Sequence, residues 1–158
     1  MGSRGISLIE LVVVVSIIGI LVVSMGFTYG DWRQKYEVER ATREFYTDLL
    51  HARLMAMQKS REHYAVLSSD SYSIVEDTDD DGKVDADDTV LPSYPRKVPF
   101  CLNKNNTGSR IHFDKDGTMP VWRTVWFTSN ASPDYDCVVI SITRINTGRY
   151  DGDRCVAQ

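Results

Sequence analysis

The densest chemistry in this sequence lies in residues 77–88, Asp-Thr-Asp-Asp-Asp-Gly-Lys-Val-Asp-Ala-Asp-Asp. Asp77, Asp79 and Asp81 put carboxylates at the first, third and fifth positions of a twelve-residue loop. Gly82 permits a sharp turn at the sixth, and Lys83 offers its backbone carbonyl at the seventh. Asp85 at the ninth acts directly or through water, and Asp88 closes the shell at the twelfth. Hard oxygen donors at this spacing suit calcium, and Val84 can pin the loop to the rest of the protein. The bland alternative is a solvated acidic loop, but carboxylates this crowded repel one another until a cation sits between them.

Two departures from the EF-hand pattern shape the expectation. Asp88 is one methylene shorter than the usual Glu, which resembles dockerin-like loops. The flanking residues read as β-type runs rather than helices, so a bound ion would act as a fixed brace and not as a switch between helix positions.

The other reactive residues are sparse. Cys137 and Cys155 bracket a terminal hairpin and are the first choice for a disulfide, adding ~3 kcal/mol by loop entropy. Cys101, in the apolar run Val98-Pro99-Phe100, is then expected as a buried thiol; its pairing with either partner is the alternative. His51 lies on a helix pattern, and His63 and His112 lie at strand positions. No nucleophile elbow, phosphate-binding glycine loop or zinc spacing accompanies them, so no catalytic residues and no enzyme are expected.

The elements that carry these residues begin with an apolar run. Across 6–27 the only ionisable residue is Glu10, and LIELVVVVSIIGILVV is long enough to span a bilayer as a helix at ~1.5 Å per residue. Its Val and Ile content favours a strand in water, but only a helix satisfies its own backbone in hydrocarbon. Arg4 on the short side orients Met1 to the cytoplasm. A carboxylate within such a span costs roughly 2.5–3.5 kcal/mol and calls for a partner. Cutting the chain between Gly5 and Ile6 would supply one: a new α-amine four residues before Glu10, on the same helix face. Between staggered helices, the amine of one subunit could meet Glu10 of another and set an axial register.

The segment Arg4-Gly5-Ile6-Ser7-Leu8-Ile9-Glu10-Leu11 resembles the type IV prepilin processing site. The resemblance implies cleavage after Gly5 and N-methylation of Ile6 by a prepilin peptidase, extraction from the inner membrane by an assembly platform, and incorporation among other pilin or pseudopilin subunits. Ile6 replaces the usual Phe, and the Pro common farther along the span is absent.

Beyond the span, Val38, Ala41, Phe45, Leu49, Ala52 and Ala56 recur at three- and four-residue steps. The opposite face holds the pairs Arg33/Glu37, Glu39/Arg43 and Arg40/Glu44. One helix to about Ser60 is predicted. Short β-type runs then follow at 63–67, 71–75, 97–102, 111–113, 121–128 and 137–143, with hairpin turns at 114–117 and 151–153. The fold class is α+β, and the expected organisation is a leader over 1–5, a helix over 6–60 and a β-rich head over 61–158. The formal charge of -4 is local: 76–88 holds eight acids against Lys83, leaving 17 basic and 14 acidic residues elsewhere. Bulk charge therefore gives no reason to invoke nucleic acid.

His51-Ala52-Arg53 with Ala56, and Val138-Val139-Ile140-Ser141 running into Thr147-Gly148-Arg149, are similar to the GspH/FimT family of minor pseudopilins and minor type IV pilins. The family implies two packed sheets on the long helix, a head in the periplasm, and a place near the tip of a pilus or type II secretion pseudopilus. Some members bind DNA through Gly-Arg-x-Arg. Here Gly148-Arg149-Tyr150-Asp151 lacks the second Arg, so a structural turn is favoured and DNA contact through Arg149 is the alternative. A membrane-tethered domain that never polymerises is a third reading.

Overall fold

In the computed structural model, residues 7–98, 101–104 and 109–157 are described, without the side chains of 24–28. One helix, α1 (Leu8–Lys59), dominates the chain with 52 residues. It ends where Ser60 turns left-handed at φ 53°, and the Ser60 and Arg61 amides both fold back onto the Ala56 carbonyl. From residue 38 onward it is amphipathic: Val38, Ala41, Phe45, Leu49, Ala52 and Ala56 are all buried, as their spacing predicts.

Arg33 pairs with Glu37 at 2.9 Å and Arg40 with Glu44 at 2.8 Å. The expected Glu39/Arg43 pair is replaced. Glu39 accepts the Asp134 amide and Arg43 donates to the Tyr135 hydroxyl, because the 134–135 segment packs over that face and offers fixed partners.

Among the described residues, ten strands follow in two antiparallel sheets. The first contains β1 (His63–Leu67), β2 (Ser71–Glu76), β3 (Thr89–Val90), β4 (Arg96–Lys97) and β6 (Arg110–Phe113). Its order is β3-β2-β1-β6, with β4 also on β2. The second contains β5 (Cys101–Lys104), β7 (Arg123–Thr128), β8 (Cys137–Ile140), β9 (Ile145–Tyr150) and β10 (Cys155–Ala157), in the order β10-β9-β8-β7-β5. An apolar cluster joins the helix to both sheets. Phe45 sits at its centre, edge-on to Tyr72 of the first sheet at 4.9 Å and to Phe127 of the second at 6.1 Å.

Three expectations about the strands need correction. The run predicted over 97–102 is divided between β4 in one sheet and β5 in the other, and Pro99 between them has no amide hydrogen for a continuous ladder. The run over 137–143 stops at Ile140. Ser141 donates its amide to the Arg144 carbonyl at 2.8 Å, and the chain returns as β9. The turn over 114–117 forms, with the Gly117 amide on the Asp114 carbonyl at 2.7 Å, but it leads from one sheet to the other and closes no hairpin.

Gly148 is required by contact: a Cβ there would lie 2.3 Å from the Val156 carbonyl oxygen on β10.

Candidate functional site

The twelve-residue acidic loop connects β2 to β3, and the pairs Val75↔Val90 and Glu76↔Thr89 hold its two ends together. It is therefore a long hairpin loop, flanked by strands as its sequence suggests. Asp77 is fully buried and organises the turn: its carboxylate accepts the Asp80 amide at 2.6 Å and the Gly82 amide at 2.9 Å. Gly82 has φ +74°, where a side chain would be strained.

Asp88 reaches back from the far end, accepting the Thr78 amide at 3.1 Å and the Asp85 amide at 3.1 Å. One carboxylate oxygen from each of Asp77, Asp79 and Asp81 lies within 4.8 Å of the others. These three Asp can hold a cation together, and their all-oxygen donor set fits a hard ion such as calcium.

The charges respond to this crowding. Partial desolvation, and then the neighbouring Asp81, push the Asp79 carboxyl above its ordinary value. Asp81 goes the other way because Lys83 donates to it, from its ammonium at 2.9 Å and from its amide at 2.8 Å. Lys115, from the turn after β6, bonds Asp80 at 2.6 Å and ties the loop to the head. Asp85 is exposed, Lys83 is exposed, and Val84 is only half-buried.

Cys137 and Cys155 form a disulfide, with Cα atoms 6.1 Å apart, that links β8 to β10 across the intervening β9. Cys101 is a free thiol and is exposed, contrary to the burial expected of it. In the β5 alternation it is Leu102 that turns into the core, so its neighbour Cys101 faces out. Arg149 is exposed on β9, beside the stacked rings of Trp126 and Tyr150 at 4.4 Å. Arg154 turns to Asp151 at 3.8 Å and does not join Arg149 in a basic patch.

A cluster not anticipated from sequence lies on the first sheet. His112 Nε2 is 2.9 Å from Glu62 Oε2 and 3.2 Å from Asp114 Oδ1. His112 and Asp114, two residues apart on one strand face, were the available signal; Glu62 joins them only through the pairing of β1 with β6.

At the other end of the molecule, Gly5 and Ile6 lie outside the described residues. Glu10 stands in the first turn of α1, exposed among apolar neighbours. Leu8, Ile9, Leu11 and the large apolar residues through Val23 are all about half exposed or more. Among the described residues no helix is long and apolar enough to cross a membrane. The stretch with described apolar side chains, 8–23, would measure ~24 Å against a hydrocarbon core of ~30 Å.

A helix whose C-terminal half builds the core of a two-sheet head, while its residues 8–23 stay exposed, is the architecture of a pilin-like protein. The family model for type II transport protein GspH matches residues 41–143, and the chain belongs to this family. The crystal structure of the type IV minor pilin FimU of Pseudomonas aeruginosa has a similar fold, with a TM-score of 0.55 at 18% identity over 79% of this chain and 96% of that one. No curated protein matches the sequence.

Proposed function

We propose that this chain is a minor subunit, tip-located or assembly-priming, of a type IV pilus or type II secretion pseudopilus. The observation that carries the reading is the division of α1. Residues 38–56 supply the core of the head, whereas 8–23 expose apolar side chains on every side, with Glu10 the only charge among them. Apolar surface on this scale needs a cover. In this reading the cover is first the inner membrane, with Arg4 on the cytoplasmic side and the head in the periplasm, and then the helices of neighbouring subunits.

Glu10 finds its counter-charge in the α-amine of Ile6 once a prepilin peptidase has cut after Gly5. Mass spectrometry of filament-incorporated protein should give a chain starting at N-methylated Ile6. Glu10→Ala should fold its head normally yet fail to enter filaments. Incorporation of the variant at wild-type level would remove the charge-pairing argument.

The acidic loop adds a calcium brace to this subunit. Supporting it are the loop spacing, the converging oxygens of Asp77, Asp79 and Asp81, and the reach of Asp88 across the loop. Asp85 and the Lys83 carbonyl complete the donor set. Calcium at a hundred times its dissociation constant would stabilise the head by ~2.7 kcal/mol. Calorimetry and thermal melting of the full chain in detergent, with calcium and then with chelator, test this. No binding heat and no midpoint shift would leave a solvated acidic loop.

A further inference from the structure

We propose that Glu62, His112 and Asp114 form a second metal site, one for zinc or a similar late first-row divalent ion, distinct from the acidic hairpin loop. The fold sets these residues side by side. His63 pairs with Phe113 and Tyr64 with His112 in the antiparallel β1–β6 ladder, so Glu62 stands opposite Asp114 at the end of that ladder. Alternate residues share a sheet face, which puts Glu62 and Tyr64 on the same side as His112 and Asp114.

The donor atoms have the separations that coordination requires. Bonds of ~2.1 Å from zinc to nitrogen or oxygen give ligand–ligand edges of about 3.0–3.4 Å for octahedral to tetrahedral angles. His112 Nε2 lies 2.9 Å from Glu62 Oε2 and 3.2 Å from Asp114 Oδ1, and one donor atom from each of the three residues falls within 4.8 Å of the others. An imidazole Nε2 carries at most one hydrogen, yet two carboxylate oxygens converge on it. A cation between them would serve all three donors.

The surroundings hold the ligands in place. The Tyr64 hydroxyl donates to Glu62 Oε2 at 2.7 Å, and its ring stacks on His112 at 4.7 Å and 10°. Thr118 Oγ1 lies 3.0 Å from Asp114 Oδ2 and 2.8 Å from Asp116 Oδ1 and shares its one hydrogen between them, while Asp114 Oδ1 is directed at the imidazole. Such outer contacts fix ligand orientation in metal sites. The three side chains are 23–37% exposed, so an ion can enter and water can fill its remaining positions. One imidazole with two carboxylates selects a borderline ion such as zinc, where the neighbouring loop presents oxygen alone. Bound zinc would clip the chain leaving α1, at Glu62, to β6.

The test is titration of the metal-free full chain in detergent with zinc, by calorimetry and by equilibrium dialysis with elemental analysis, in excess calcium. One zinc per chain is expected. His112→Asn and Asp114→Asn should each weaken binding at least tenfold, while Asp81→Asn leaves it unchanged. Asp114→Asn keeps the Tyr64–His112 stack and so guards against a folding defect in His112→Asn, which circular dichroism also monitors. Absence of zinc binding, wild-type affinity in both cluster variants, or a loss confined to Asp81→Asn would overturn the proposal.

Discussion

Replacing Cys155 with Ala tests the energetics of the head most directly. The bridge closes a separation of 18 residues between Cys137, fully buried on β8, and Cys155, the first residue of β10. Releasing a loop of that length restores chain entropy to the unfolded state worth ~3 kcal/mol at 25 °C. The folded state loses little in return, since β10 contributes three residues paired to β9 alone. Cys155 is the better partner to change, because any polar replacement of Cys137 would bury an unpaired group. Guanidinium unfolding of the full chain in detergent should place Cys155→Ala ~3 kcal/mol below the wild type, and reduced wild-type protein should fall to about the same value. A loss under ~1 kcal/mol, or a wide gap between variant and reduced protein, would refute the entropic account.

Phe45→Ala should cost about 3–5 kcal/mol in the same measurement, since it empties the point where helix and both sheets meet. His63 is fully buried, its Nδ1 faces the Arg61 carbonyl at 3.1 Å, and burial lowers its pKa below the ordinary 6.5. The unfolded chain therefore takes up a proton that the folded chain resists: stability is complete above about pH 6.5 and falls as pH drops toward the folded pKa. Urea melts across that window should show this decline, and His63→Asn should flatten it. DNA binding by the full chain should be weak, and a salt titration that showed firm affinity lost in Arg149→Ala would reverse that expectation.

The periodic parts of the fold are legible in the sequence because one physical rule governs each. The stripe from Val38 to Ala56 follows helix geometry, and every member is buried. The hairpin loop over 77–88 follows from turn chemistry and the β-type residues around it. Cys137 and Cys155 could be paired because the sequence reads as a terminal hairpin between them, although the structure makes that stretch a three-stranded meander of β8, β9 and β10. What escapes the sequence is set by long-range packing. Glu39 and Arg43 are spaced for each other yet are claimed by Asp134 and Tyr135, more than ninety residues away. Cys101 reads as apolar from its neighbours, but an edge strand shows only alternate residues to the core. The Glu62–His112–Asp114 cluster depends on a pairing of β1 with β6 that skips the whole β2–β5 region, and no local pattern encodes it.

The strand lengths at the sheet borders bear on how such a protein avoids joining the wrong way. β3 and β4 have two residues each, β10 has three, and β5 and β6 have four. Among the described residues every border of both sheets is thus blunt, too short to template the strand of another molecule, and β10 is locked down by a disulfide. A head packed beside other β-rich subunits would otherwise risk edge-to-edge aggregation. Short borders close that route and leave the exposed apolar side chains of 8–23 as the surface that the proposed assembly would use.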